Sequence, residues 1–297
     1  MNKLSTTGFL LATWFLCCGF GPYRPPGAGA FSLGQADATV ATGVGTVALY
    51  ANPANMAMVK RQTFDGGAQR NPQNGTSSLA VGGVDGTSAW GLSAGLGYSY
   101  DVNWGIDTPQ RGMHDVRLGL AASAESDAGR VMVGVAGRYM NGDILTPGQH
   151  IEGFGVDAGV AAALSNFRAG LVLRNAMRID NDETPRRLAA GVGFVTDHVL
   201  GDADASFGLD SHSGQAYRFG VGVQPGEEGF QIRTGYAFDQ TVKQDATRHF
   251  VALGVSWRTP RFSVDLSGAM NVVRIQETIV ALGVGFVIPT GDEPAAN

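Results

Sequence analysis

A Gly-x-Ser-x-Gly pentad is the part of the sequence that comes closest to a catalytic motif. Gly91, Ser93 and Gly95 have the spacing of a nucleophile elbow, in which a sharp strand-to-helix turn exposes the serine. Here, however, apolar and small residues alternate without interruption from 90 to 100, which predicts a strand with Ser93 in its middle. Because no other serine is paired with a base by any motif, the chain is not predicted to be an enzyme.

Metal and cofactor chemistry have equally little support. The five histidines are scattered among predicted connections and strand ends, and none has a metal-ligand spacing such as H-E-x-x-H. The Gly-Val-Gly triplets lack the third glycine and the following helix of a phosphate-binding loop. We interpret them as small inner-face residues that let a strand curve or a plug come close. The sequence therefore predicts no catalytic residue, no metal and no cofactor; the triplets are at 43–45, 191–193, 220–222 and 283–285.

Arginine and aspartate are the side chains best suited to binding. After the first 30 residues arginine outnumbers lysine by 17 to two, and arginine forms planar, two-pronged pairs with carboxylates. We predict one charge network, which either selects anions or, in the interpretation that we favour, braces a wall against a plug. Its predicted members are Asp115, Arg117, Arg138, Asp157, Arg218, Arg233 and Asp265, with Asp204 as a further partner for arginine.

Strands are the elements that must position these side chains. Fourteen segments alternate apolar with small or polar residues, and their mean length of about 11 residues suits a tilted strand that crosses a membrane. The sequence predicts an all-β fold, a single transmembrane antiparallel β-barrel of about 14 strands over 62–288. The strands are predicted at 62–70, 76–85, 88–100, 113–125, 130–140, 151–164, 167–177, 186–196, 201–210, 215–224, 229–238, 247–257, 261–270 and 277–288.

Connection lengths and face composition favour a barrel over a secreted β-sandwich, whose strands also alternate. Tight turns such as 165–166 are followed by longer connections such as 178–185, as in bacterial barrels with short periplasmic turns. An arginine facing lipid would cost about 2–4 kcal/mol near the bilayer midplane. The arginine-bearing face is therefore predicted to line the lumen, with both chain termini on the periplasmic side.

Residues 1–30 have the features of a signal peptide. Lys3 is followed by an apolar stretch and then by the small residues at 28–30, and cleavage is predicted after Ala30. Cleavage would remove both cysteines and leave 19 basic and 26 acidic residues, a balance that argues against nucleic acid as a partner. We expect a protein of the bacterial outer membrane, in contact with outer-membrane lipid and lipopolysaccharide, with no protein partner assigned.

Residues 31–61 do not alternate cleanly, unlike the rest of the chain after the signal peptide. A barrel of about fourteen strands is wider than its own side chains can fill and would leak if it were empty. We therefore predict that 31–61 forms a hatch inside the lumen, and that 289–297 is a periplasmic tail. The alternative is a simple turn at Asn52-Pro53 before the first strand.

The hatch region resembles the start of FadL-type barrels. In that superfamily a Gly/Ala-rich start leads to an Asn-Pro-Ala motif, often followed by Gly-Met or Gly-Leu, and here Asn55 stands where glycine is usual. The resemblance implies a barrel of fourteen strands with a hatch inside. The superfamily includes transporters of long-chain fatty acids and aromatic hydrocarbons and the PorV-type barrels of a secretion system. The matching hatch residues are Asn52, Pro53, Ala54 and Met56.

Two functions follow from this resemblance. The first is passive transport of small hydrophobic compounds, fatty-acid-like or aromatic, which would make such a compound the ligand. The alternative is a PorV-like barrel that transports nothing and anchors or receives a protein partner. The predicted outer connections favour the alternative, because none exceeds about a dozen residues and the capture site of FadL-type proteins is built from long outer loops.

Overall fold

The computed structural model describes residues 29–72, 75–88, 90–103, 111–143, 150–177, 185–210, 214–226, 228–241, 246–273 and 278–289. The predicted signal peptide lies outside the described residues as far as residue 28. The predicted tail lies outside them beyond Pro289. In the described part of the chain, no helix is long and apolar enough to cross a bilayer.

The wall is a closed β-barrel of fourteen strands, as the sequence predicts. Each strand pairs antiparallel with the next one in the chain, and β1 pairs with β14 to close the ring. Closure leaves no sheet edge with unpaired backbone groups. The strands are β1 Arg61–Arg70, β2 Thr76–Asp85, β3 Leu92–Asn103, β4 Arg111–Ser126, β5 Gly129–Asp143, β6 His150–Leu164, β7 Phe167–Met177, β8 Arg187–Val195, β9 Val199–Gly208, β10 Gln215–Val223, β11 Gly229–Thr241, β12 Ala246–Arg258, β13 Phe262–Asn271 and β14 Thr278–Pro289.

The third strand begins later than its alternation predicts. The predicted strand starts at residue 88, whereas β3 starts at Leu92. Gly91 has φ +69° and its N–H donates to the Ser88 carbonyl, so Trp90 and Gly91 belong to a turn before the strand. Alternation alone could not show this, because a left-handed glycine interrupts the strand without interrupting the pattern of residue types.

The two ends of the barrel differ in their connections. At one end, which we call the turn end, β4 joins β5 through 127–128 and β6 joins β7 through 165–166. At the opposite end, called the loop end, the longest connection spans 178–186. The loop-end connections between the described strands are therefore short.

The side chains sort by face as the alternation predicts. Leu118 is 62% exposed and Leu253 is 55% exposed, and similar apolar residues cover the outside of every strand pair. On the inside, Arg233 is fully buried and Ser93 is 5% exposed. Ser93 faces the lumen, but it is the second residue of β3, so the prediction that it lies in the middle of its strand is wrong. The strand continues from it to Asn103, whereas a nucleophile elbow has a helix after its serine.

The described residues before β1 lie inside the barrel. We call residues 29–60 the luminal segment. It contains three short helices, α1 (Gly29–Leu33), α2 (Thr46–Ala51) and a 3-10 helix η1 (Pro53–Met58). Nearly all of its side chains are buried, although helices of five or six residues have little stability of their own. The wall of the barrel must therefore supply most of the interactions that hold this segment.

Candidate functional site

The luminal segment runs around the inside of the barrel and approaches every strand. Its first residues lie against β12, β13 and β14, and Gln35 lies against β10 and β11. Residues 39–42 then lie against β7, β8 and β9, and the three residue pairs Thr46–Asp65, Tyr50–Gly97 and Asn52–Gly159 follow on β1, β3 and β6. Between Thr42, bound to Asp202 of β9, and Thr46, bound to Asp65 of β1, the segment crosses the lumen, so it contacts the whole wall rather than one side of it.

Glycines on the inner face of the barrel make room for the luminal segment. A Cβ placed on Gly134 would lie 2.5 Å from the Ala54 nitrogen and 2.5 Å from the Pro53 carbonyl carbon, both of them backbone atoms. Real Cβ atoms do not approach so closely, so no larger residue fits there while the segment is in place. At inner-face positions on six further strands a Cβ would also come within 3 Å of the segment, of its backbone on β7, β10 and β11 and of its side chains on β3, β4 and β6. These positions, which we call the glycine belt together with Gly134, are Gly97, Gly119, Gly159, Gly170, Gly220 and Gly235.

The Asn-Pro-Ala motif joins two parts of the segment to each other and to the wall. The Asn52 side-chain oxygen accepts the N–H of Ala54 at 3.2 Å and so caps η1, with Pro53 at the first helical position. The Asn52 amide donates to the Val40 carbonyl and to the Val160 carbonyl of β6, both at 3.2 Å. Asn55, which departs from the FadL-type pattern, donates to the same Val40 carbonyl at 3.1 Å.

Apolar packing holds η1 and α2. Leu49, Ala54 and Met56 are fully buried and form one cluster with the inner-face residues Met132 and Ala136 of β5. Burying a side chain of this size contributes about 1.5–3 kcal/mol relative to leaving it in water. This part of the segment is thus fixed by the contacts that stabilise an ordinary protein core.

Four members of the predicted charge network form one connected cluster. Asp115 receives Arg117 at 3.3 Å and Arg138 at 2.8 Å, and Arg117 also reaches Asp157 at 3.2 Å. All four are at least 90% buried. The Arg117 guanidinium also lies 4.5 Å from the centre of the Tyr50 ring, a cation–π contact between wall and segment.

A bulge in β7 extends this cluster to the segment. Between β6 and β7 the register shifts, because Val156 faces Met177 while Ala158 faces Leu173. Asn175, in the bulge, has φ +54°, and its N–H donates to the Asp157 carboxylate at 2.7 Å. Its neighbour Arg174 donates to the Ala51 carbonyl at 3.0 Å. The carboxylate that closes the charge cluster thus also holds the irregular part of the wall.

Two other predicted members pair with each other on the opposite side of the barrel. Arg233 donates to Asp265 at 2.9 Å, and both are buried. The Phe31 ring lies 4.4 Å from the Arg233 guanidinium and 4.6 Å from that of Arg258. The alternation placed these arginines in the lumen, but nothing in the sequence indicated that an aromatic residue of the segment would lie between them.

The last predicted member, Arg218, forms no ion pair with any residue that the structure describes. Asp204 faces Arg218 across β9 and β10, but its carboxylate accepts the backbone N–H groups of Thr39 at 2.8 Å and Val40 at 3.0 Å. Asp202, which the sequence analysis did not select, accepts both the N–H and the hydroxyl of Thr42. Alternation places Asp202 on the inner face; its partner could not be foreseen, because Thr42 lies 160 residues away in the luminal segment and no pattern in the sequence links the two.

A cavity of about 80 Å³ lies between the segment and the wall on this side. It is large enough for several water molecules or a small organic molecule. Its apolar lining includes residues near the loop ends of β12 and β14, and its polar lining comes from β7, β9, β10 and β11. The residues that define it are Leu33, Phe250, Ile279, Arg174, Arg218 and Asp239.

Titration and metal binding add little to the chemistry of the lumen. Burial raises the pKa of the Tyr50 phenol to about 12, against the opposing effect of the Arg117 charge, so this residue is neutral at physiological pH. Among the described residues, no three His, Cys, Asp or Glu side chains are grouped so that they could hold a metal ion. What the arrangement offers is a set of braces between wall and segment, and one mixed polar and apolar cavity.

Several solved structures have a similar fold. Over 91% of this chain and 99% of the other, the fold is similar to that of a FadL homologue from Pseudomonas aeruginosa, with TM-score 0.57 and 12% identity. The P. putida toluene transporter TodX gives TM-score 0.59 at 11% identity, over 90% of this chain and 99% of the other. A deltaS2 mutant of the TodX monoaromatic hydrocarbon channel gives 0.61 at 12%, over 89% and 99%. The fold is therefore of the FadL type.

Sequence comparisons add nothing to this result. Neither protein-family models nor curated proteins give a match to the chain.

Proposed function

We propose that this protein is an outer-membrane channel for the passive passage of small hydrophobic compounds, and that a signal peptide directs it there. The cavity on the loop-end side of the luminal segment carries the proposal. It places an apolar surface with a few polar groups inside a barrel of the FadL type, and such mixed pockets are typical of sites for small organic molecules. A band of exposed apolar residues around the outside is the surface that a membrane would cover.

Passage needs movement of the luminal segment, because this segment lies against every strand of the barrel. The part between residues 35 and 42 is the part that we propose moves. It borders the cavity, and its hold on the wall combines hydrogen bonds to Asp202 and Asp204 with the packing of Val40 against Val172 and Ala189, an apolar cluster much smaller than the one around Met56. A compound that enters from the loop end would occupy the cavity first and then displace these residues.

Uptake into liposomes tests this function. Vesicles with purified barrel and vesicles without it receive a labelled fatty acid in one series and a labelled monoaromatic compound in another. We expect the barrel to accelerate at least one of them, with no effect on a hydrophilic sugar of similar size. If neither compound enters faster than in empty vesicles, the protein is not such a channel.

The PorV-like alternative remains the second candidate, and the short loop-end connections favour it. Because the longest of these connections spans only 178–186, little surface is available there to capture a compound. Affinity purification from outer membranes separates the two proposals. Stoichiometric co-purification of one protein together with no uptake would support the anchoring function, whereas recovery of the barrel alone together with uptake would support the channel.

A further inference from the structure

A second cavity, of about 50 Å³, lies where the luminal segment begins. Gly29 and Phe31 line it together with Asp65 of β1 and Asp265 of β13. These two strands flank β14, whose residue Gly283 has no side chain to fill the space between the carboxylates. A Cβ built on Gly29 would meet no atom within 4 Å, so there is open space beside this residue.

One of the two carboxylates has no cation next to it. Asp265 pairs with Arg233 at 2.9 Å. Asp65 accepts the Thr46 hydroxyl at 2.5 Å, but no cationic side chain among the described residues lies within 4 Å of it, and Arg258 acts on it only from farther away. Asp265 also repels it. A carboxylate removed from water is costly unless it is paired, so this position favours a positive charge.

The first residues of the segment are held in fixed positions beside this cavity. The Ala30 carbonyl accepts the N–H of Gly34 at 3.2 Å, and Ala30 is 3% exposed in an apolar cluster with residues of β12 to β14. The Gly29 carbonyl accepts the Ser32 hydroxyl at 3.3 Å. Cleavage after Ala30, as predicted from the small residues at 28–30, would remove these two acceptors and the packed methyl group.

We propose that the mature chain begins at Gly29 and that its α-amino group is bound in the lumen by Asp65, with Asp265 as the second carboxylate of the site. A signal peptidase would hydrolyse the bond between residues 28 and 29. Water adds across that bond, Ala28 leaves with the new carboxylate, and Gly29 keeps the amine, which takes up a proton. The chain itself then supplies the missing cation. The proposal rests on the predicted signal peptide and is independent of what the barrel transports.

The role of the Gly29 ammonium group is to fix the start of the luminal segment. Phe31 is already placed between two guanidinium groups, and an ammonium group two residues earlier, paired with Asp65, would fix the chain on both sides of Ala30. Any residue retained before Gly29 would carry the amine away from the carboxylates and would need to fit into the cavity. The arrangement therefore links correct processing of the chain to correct seating of the luminal segment.

Intact-mass measurement of the protein extracted from outer membranes is the first test. The expected mass is that of residues 29–297. A mass that corresponds to a start at residue 31, or to an unprocessed chain, would overturn the proposal. Because this measurement is independent of uptake, it can fail while the proposed channel function holds, and the reverse is equally true.

Amine labelling of the folded protein is the second test. Lys60, whose side chain is 58% exposed, is the internal reference. In the wild type we expect the Gly29 amine to react at least tenfold more slowly than Lys60, and to react equally readily once the protein is unfolded. The pH profile of labelling should give this amine a pKa above about 8, the ordinary value for a free α-amino group. An amine that labels rapidly with an ordinary profile would contradict the proposal.

Substitution of the carboxylate gives the third test. Asp65→Asn should raise the labelling rate of the Gly29 amine several-fold. Asp239→Asn is the matched control, because Asp239 is also a buried luminal aspartate but lies on β11 and lines the other cavity. Equal rates in Asp65→Asn and the wild type would show that Asp65 does not bind the amine. If Asp65→Asn does not fold, the wild-type pH profile decides the question by itself.

Discussion

The two parts of the luminal segment are held to the wall in different ways. Residues 46–58, the helical half, pack an apolar cluster against β4 to β6, and fully buried Leu49 and Met56 lie at its centre. Residues 35–42, the looped half, contain no helix and bind to β9 through carboxylates that accept backbone N–H groups. The larger cavity borders the looped half.

Because of this difference, we expect the helical half to seal the barrel and the looped half to be the part that moves. Apolar packing is lost all at once when a close-fitting surface moves, whereas hydrogen bonds to a carboxylate can be exchanged one by one for bonds to water. The helical half is therefore expected to stay in place while the looped half shifts. Variants in each half of the segment can therefore test this contrast.

A side chain at Gly134 should displace the helical half and give the largest effect. Gly134→Val would place atoms on the Pro53 and Ala54 backbone, which cannot move without giving up the apolar cluster. We expect a loss of at least about 3 kcal/mol in the free energy of unfolding, by the overpacking and lost burial together, and vesicles that leak small hydrophilic solutes. Urea unfolding and liposome swelling measure the two effects.

Gly137→Val on the same strand is the control for this variant. Gly137 faces outward, and a Cβ there would meet only the Leu118 carbonyl oxygen, at 3.9 Å. It should leave stability and swelling near their wild-type values. Equal damage from both variants would mean that β5 tolerates no valine at either position, and the argument from the glycine belt would be lost.

Removal of the Asp204 carboxylate should free the looped half alone. Asp204→Ala leaves the N–H groups of Thr39 and Val40 without acceptors, at a cost of about 1–3 kcal/mol for each buried donor. We expect faster uptake of a small hydrophobic compound with no leak of hydrophilic solutes, because the helical half stays in place. Asp239→Ala, which removes a charge from the same cavity but no bond to the segment, should change neither result.

Asn52 links the two halves, so its loss should have an intermediate effect. Asn52→Ala removes the cap of η1 and the donor to the Val40 carbonyl, although Asn55 still reaches that carbonyl. We expect a loss of about 1–2 kcal/mol in the free energy of unfolding, together with a modest rise in uptake. Urea titration of Asn52→Ala beside the wild type measures the first effect. No change in the free energy of unfolding would mean that the motif does not hold the two halves of the luminal segment together.

Tyr50 should matter least at neutral pH and show its effect only in alkali. Its pKa is raised to about 12 in the folded protein, so the unfolded chain ionises first, near pH 10. The free energy of unfolding should therefore fall as the pH rises from about 10 to 12, by about 2–3 kcal/mol. In Tyr50→Phe this part of the decline should disappear while stability at pH 7 changes by less than about 1 kcal/mol, because the ring over Arg117 is kept. Unfolding titrations of both proteins across that pH range decide the point.

Much of the wall can be predicted from the sequence, because a period of two fixes which side chains share a face. It placed Arg117, Asp157 and Arg233 in the lumen and gave the strand number of the closed barrel. It missed the turn before β3, which depends on the backbone conformation of Gly91, and the bulge at Asn175. Neither leaves a mark on the alternation of residue types.

The partners inside the lumen were harder to predict, for a different reason. The predicted pairing of arginines with aspartates occurs in the cluster around Asp115 and at Asp265, but Asp204 bonds to backbone N–H groups and leaves Arg218 without an ion pair among the described residues. Backbone donors are present at nearly every residue and carry no sequence signal. The glycine belt does leave a signal in the sequence, since inner-face glycines recur on neighbouring strands at one height of the barrel.

A disulfide across the looped half tests whether this half must move before a compound can pass. A Cβ on Gly193 of β8 would lie 3.6 Å from the Ala41 Cβ, within the range for a disulfide, and Cys17 and Cys18 of the predicted signal peptide are the native cysteines. The double variant A41C and G193C carries Thr42→Ser as well, because the Thr42 methyl would otherwise overlap the new side chain. Uptake of the small hydrophobic compound should stop in the oxidised protein and return on reduction to the rate of Thr42→Ser alone. Equal uptake by the oxidised and reduced forms would show that compounds pass without movement of the looped half, and the proposal that residues 35–42 move would be wrong.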